Sequence, residues 1–198
     1  MELTPVQVRV LGSLLEKAAT TPDAYPLSTN ALVNACNQKT SRDPVTSLAE
    51  REVTEAMMEL RAEGLARTVH GGRADKHKHV LDEALDLDGG EVAVLAVMML
   101  RGPQSPGELR TRTERAHPFA DLEAVSDVLA ELETRGLVRD HGRAAGQSQN
   151  RWGHLLGDGT EPEPVAQPAG PSLDEPSRED RLAALEARVA AIEEALGL

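Results

Sequence analysis

The nine residues ELRAEGLAR at 59–67 return as ELETRGLVR at 131–139, 72 positions further on. A near-repeat at this spacing points to one structural plan used twice, which constrains the fold more than any composition figure. Both copies end on Gly-Leu. Gly64 and Gly136 therefore read as helix stops, each followed by the first apolar residue of the next element.

Reading outward from the two stops gives the same order of elements in each unit. In the first, Thr4-Pro5-x-Gln7 is a capping box with proline at the first helical position, opening a helix through Val10, Leu11, Leu14 and Leu15. In the second, Asp88-x-x-Glu91 opens one through Leu95, Met98 and Met99. A second helix follows a proline-bearing turn, with Ser28, Leu32 and Ala35 in unit one and Ser105-Pro106-x-Glu108 with Leu109 in unit two. A third is expected to start near Ser47-x-x-Glu50 and run through Val53, Met57 and Leu60; its counterpart runs from Asp121 through Val125, Leu129 and Leu132. After each stop the pattern predicts a β-hairpin: strands at 65–69 and 77–81, then at 137–141 and 150–155, with glycine-rich turns between.

Three helices and a hairpin in about 75 residues is the winged-helix plan, against the alternative of two unrelated three-helix units. The fold class expected is mainly α with small β-hairpins, as two tandem winged-helix domains at 1–85 and 86–157. Residues 157–177 hold five prolines and few large apolar side chains, so 158–177 reads as an acidic, Pro-rich linker. Beyond it, 178–198 reads as an amphipathic, coiled-coil-like helix, since Leu182, Leu185, Val189, Ile192 and Leu196 keep heptad spacing. Arg181 and Arg188 at g would meet Glu186 and Glu193 at e in a parallel pair, so a homodimer is expected. The alternative is that so short a stripe docks on its own chain.

Charge decides which surfaces can meet which partners. The chain carries a net −12, but residues 1–85 account for −2, 86–157 for −3 and 158–198 for −7. The acid excess is concentrated in the tail. The third helices are acidic too, which argues against either as a reader of the DNA major groove. The hairpins are basic, with Arg67, Arg73, Lys76 and Lys78 against Asp75 in the first, and Arg139, Arg143 and Arg151 against Asp140 in the second. A further basic stretch, ELRTRTER, sets Arg110, Arg112 and Arg115 against Glu108 and Glu114; a solvated helix face with a Glu108 to Arg112 pair explains it equally.

Catalysis has little to stand on. No HExxH, GxSxG, GxGxxG or Walker A string occurs, and small winged-helix units are expected to leave little concave volume for a substrate. Cys36, between apolar neighbours, reads as a buried core residue. Lys76-His77-Lys78-His79 places both histidines on one strand face and both lysines on the other, a basic hairpin more than a metal site. Trp152 reads as a packing anchor. No enzyme activity, cofactor or metal is expected. The longest apolar run, 92–100, is nine residues against the roughly 18 to 20 of a membrane span, and the first residues do not read as a secretory signal, so a cytoplasmic protein without a membrane partner is expected.

Three blocks, TTPDAYPLSTNALVNACNQKTSRDPV (20–45), LRGPQSPGELRTRTER (100–115) and GQSQNRWGHLL (146–156), resemble the signature blocks of the bacterial YceH-like family of tandem winged-helix proteins. The resemblance covers most of 1–157 and implies the fold without an activity. It departs at Gln147-Ser148-Gln149, where an acidic residue is expected. The distinctive polar residues of the blocks, Asn37, Gln38, Lys39, Arg42, Arg110, Arg112 and Arg115, join Arg73, Lys76, Lys78, Arg143 and Arg151 as the candidate surface for nucleic acid or a partner. The function expected is a DNA-associated regulatory protein that meets the double-stranded DNA backbone through its wings and the second helix of domain two. The alternative is a protein–protein interaction adaptor.

Overall fold

The computed structural model describes residues 2–71, 74–143 and 149–157. Arg73, Gln147, Ser148, the linker at 158–177 and the heptad segment at 178–198 lie outside the described residues. Within them the chain is mainly helical, with seven α-helices and two small antiparallel sheets.

The first half runs α1 (Pro5–Thr20), β1 (Leu27–Ser28), α2 (Thr29–Cys36), α3 (Glu50–Ala62), β2 (Ala66–Val69), β3 (Lys76–His79) and α4 (Leu81–Leu85). The capping box at its head forms as the sequence predicts: Gln7 N–H donates to Thr4 Oγ1, and Thr4 N–H donates to Gln7 Oε1 at 2.6 Å. The Ser28 side chain caps α2. Helix α3 starts at Glu50, inside the stretch expected, with Ala49 and not Ser47 at its cap. Asn37 reaches across the loop, taking the Leu48 N–H at 2.7 Å and donating to the Leu48 carbonyl at 2.8 Å. That backbone is already spent, so α3 begins after it, where Ala49 N–H donates to Glu52.

The second half repeats the order as α5 (Gly89–Arg101), α6 (Pro106–Thr113), α7 (Leu122–Thr134), β4 (Val138–Asp140) and β5 (Trp152–His154). Asp88 with Glu91 and Ser105 with Glu108 make the expected reciprocal caps. Both stops hold, with Gly64 at φ +77° and Gly136 at φ +70°, a conformation that favours glycine.

Two features escaped the sequence pattern. The first sheet has three strands in the order β1-β3-β2, with Leu27 opposite His77 and Arg67 opposite Lys78. The second half echoes the added strand with one residue, Gln104, whose N–H and carbonyl both pair with Trp152. The first hairpin also ends early, because the chain turns at Val80 into α4 and does not extend the strand to Leu81.

The halves share one core. Leu11, Leu14 and Leu15 of α1, Leu60 of α3, Leu95 and Met98 of α5 and Leu129 of α7 belong to a single buried cluster, with Trp152 packed against it. Helix α1 lies directly on α5, where Gly12 faces Met99 and Leu100. The edges close as well: Leu3 N–H donates to the Leu156 carbonyl at 2.9 Å, making a parallel bridge from Leu3 to Gly157.

Candidate functional site

The junction of α1, α5, α6 and the loop after α2 encloses a cleft of about 430 Å³. Small units leave little concave volume individually; packing α1 on α5 creates it between them. One wall is apolar, with Leu15, Ala18, Val92, Ala96 and Val97. The polar lining brings Gln38, Thr40 and Ser41 of the first half to Arg101, Arg112 and Arg115 of the second. Two blocks distant in sequence, NACNQKTSR and ELRTRTER, thus meet at one cavity.

Arg101, at the C-terminal end of α5, escaped the sequence reading. Its guanidinium is pushed below the ordinary range first by burial and then by the nearby Arg112 and Arg42, with Glu16 and Asp43 pulling the other way. Asp82, Asp88 and His79 line the cleft near the start of α5, about 18 Å along a 13-residue helix from Arg101. The two ends of α5 therefore bring opposite charges to the cleft, Asp88 at its start and Arg101 at its end. The sequence carried only a weak signal for Arg101, a basic residue before Gly102 that reads as an ordinary helix terminus.

Arg42, expected on the binding surface, is buried at 5% exposure. Its Nη1 and Nη2 donate to the two oxygens of Glu16, at 3.1 and 2.7 Å, while Nε donates to the Ala35 carbonyl. Burial opposes ionisation of Glu16, but the guanidinium outweighs it and holds the carboxyl below its ordinary value. Arg42 thus fastens the loop after α2 to α1 and is not a surface contact. Asn37 is likewise occupied by Leu48 and Thr46. Arg9 is buried beside them, donating to the Pro44 carbonyl, with its pKa lowered to about 10 mainly by desolvation.

Arg151 is half-buried and engaged within the chain. Its Nε and Nη2 donate to the Pro103 carbonyl, and Nη1 lies 3.0 Å from Glu108. Glu108 meets Arg112 at 3.2 Å as well, the pair the sequence offered as the ordinary explanation of that helix. Burial would raise its pKa, but the Ser105 N–H and the two guanidiniums keep it low.

The remaining cations divide. Lys78 is half-buried and sits 3.8 Å from Glu83, which also meets Arg67 at 3.3 Å. Lys39, Lys76, Arg110, Arg115, Arg139 and Arg143 are exposed, Arg110 donating to the Ala120 carbonyl at 3.2 Å. The histidines do not converge. His77 contacts Thr29 at 2.9 Å, His79 lies 3.2 Å from Asp82, and His70 pairs with Asp75. Cys36 is fully buried, and burial pushes its thiol up to about 11, so it is held as an unreactive core group.

Helices α3 and α7 expose acid: Glu50, Glu52, Glu55, Glu59 and Glu63 on and just beyond the first, Glu123, Asp127, Glu131 and Glu133 on the second. Among these acids Met58 stands 62% exposed, beside a shallow groove bounded by Arg61, Ala62 and Arg67. No helix among the described residues is long and apolar enough to cross a membrane.

The described residues thus carry three helices and a hairpin twice over, on one shared core. The family model described as "Protein of unknown function, DUF480" matches residues 3–147, and the chain belongs to this family. It is 47% identical over 197 residues to a UPF0502 protein of Solibacter usitatus, covering 98% of this chain and 94% of that one. A UPF0502 protein of Geobacter sulfurreducens is 46% identical over 196 residues, covering 96% and 90%, and one of Geotalea daltonii is 51% identical over 172 residues, covering 85% and 78%.

Proposed function

We propose that the chain is a DNA-associated regulatory protein of two winged-helix units, which meets the phosphate backbone with its wings and α6 and does not read bases with α3 or α7. The observation that carries this reading is where exposed charge lies. The outer faces of α3 and α7 are acidic and would repel phosphate, while Lys76, Arg139 and Arg143 stand out on the hairpins and Arg110 and Arg115 on and after α6. Cations already paired to Glu83 and Glu108 contribute less, because a partner carboxylate must be displaced first. A homodimer through 178–198 belongs to the same proposal.

The test is fluorescence anisotropy of the full chain on a random-sequence duplex across a salt series. Binding is expected to weaken on a log-log slope of roughly −0.9 for each phosphate contacted. Changing Arg110, Arg115, Arg139 and Arg143 together to Ala should shrink that slope. Absence of binding at low salt rejects the reading. The second reading, an adaptor for a basic protein, is favoured by Met58, an exposed apolar side chain set within an acidic helix face.

A further inference from the structure

We propose that the cleft between α1, α5 and α6 is a binding site for a small amphiphilic anion, a phosphate monoester or carboxylate on an apolar body, with its charged head at Arg101 and Arg112. This is independent of the nucleic-acid reading, which uses other exposed cations, Arg115 apart.

The lining states the chemistry. Arg101 and Arg112 come from different helices, lie near enough for one charge to act on the other, and line a cavity of about 430 Å³ together with Gln38 and Ser41. Two guanidiniums brought together repel each other, and the crowding acts on Arg101 in addition to its burial. Of the nearby carboxylates, Glu16 is held by Arg42 at 2.7 Å and Lys17 at 3.3 Å, and Glu108 by Arg112 and Arg151, while Asp43, whose N–H meets the Leu100 carbonyl, also acts on Arg101. An oxyanion at this end would take its main charge-assisted hydrogen bonds from Arg101 and share Arg112 with Glu108, which holds that guanidinium at 3.2 Å. Asp82, 3.2 Å from His79, and Asp88, which caps α5, also line the cleft, so the place for the anionic head is the Arg101 end. The wall of Leu15, Val92, Ala96 and Val97 gives the rest of the ligand an apolar surface, and the volume suits a molecule of metabolite size.

Isothermal titration calorimetry on the full chain tests this with four probes: phenyl phosphate, phenylacetate, inorganic phosphate and benzyl alcohol. Phenyl phosphate or phenylacetate should bind at least tenfold more tightly than inorganic phosphate or benzyl alcohol; whichever aromatic anion is tighter identifies the head group. Arg101→Gln should weaken the better probe by roughly tenfold or more, the worth of one charge-assisted hydrogen bond. Ala19→Trp, at an exposed position on the cleft rim, keeps every cation and should block binding by filling the entrance. Circular dichroism of each variant establishes that it is folded. Equal affinity for inorganic phosphate and phenyl phosphate, no binding of either aromatic anion, or full affinity in a folded Arg101→Gln or Ala19→Trp variant would each overturn the site.

Discussion

A Cβ built on Gly12 would sit 2.9 Å from the Cβ of Met99, closer than side chains tolerate, so α1 and α5 meet at a contact that depends on the missing methyl. The atom in the way is the root of the Met99 side chain, which cannot rotate aside. In an unobstructed helix, Gly→Ala is worth about 1 kcal/mol of added stability. Here Gly12→Ala is expected to destabilise by about 1 to 3 kcal/mol, because the two helices must separate. Urea denaturation of the two proteins measures it, and a stabilised variant would falsify the close approach.

Arg42 links α1, α2 and the following loop through one buried guanidinium. Arg42→Ala should cost about 3 kcal/mol or more, since it leaves Glu16 without its main partner and two carbonyls without their donor. Arg42→Lys should recover only part of this, because an ammonium lacks the fork that meets both Glu16 oxygens. If Lys restores full stability in thermal melts, the bidentate geometry is not what matters.

His154 accepts the Leu156 N–H at Nδ1, and burial lowers its pKa to about 4. An unfolded histidine titrates near 6.5, so between those values the unfolded chain holds a proton the native chain lacks. Stability should therefore be complete above about pH 6.5 and fall as the pH drops towards 4, by up to about 3 kcal/mol. His77 and His79, both lowered chiefly by burial, act with the same sign. Denaturation of His154→Asn at pH 7.5 and 4.5 should show a smaller difference between the two pH values than the parent; an unchanged difference assigns the acid sensitivity elsewhere.

The net −7 over residues 158–198 bears on the nucleic-acid proposal. An acidic segment tethered to the body competes with phosphate for the same cations. Ending the chain at Gly157 is expected to tighten binding to a random duplex, most strongly at low salt where screening is least. Equal affinity of the two forms at low salt removes the tail from the account.

The sequence made the helices and their caps legible because those signals are local. Thr4 with Gln7, Asp88 with Glu91 and Ser105 with Glu108 need only three residues of separation to declare a helix start. Ser47 looked equally suited, but Asn37 claims the neighbouring backbone from eleven positions away from Leu48, and no local pattern carries that. The same reason explains the site. Arg42 and Arg151 look like their exposed neighbours as residue types; only the folded chain shows that one is sunk against Glu16 and the other turned onto Pro103. Arg101 and Gln38 come to line one cleft only when α1 settles on α5.

The bond from Leu3 to Leu156 spans nearly the whole described chain. During synthesis, the partner of the third residue is therefore among the last parts of the body to leave the ribosome, and the α5 surface that covers α1 arrives late as well. The first half must wait with an exposed apolar helix face until the second half is made. Long-range closure of this kind slows folding and couples the two repeats into one event. A truncated nascent chain would offer that bare face to chaperones or to its neighbours, whereas the finished body fastens its beginning and its end together.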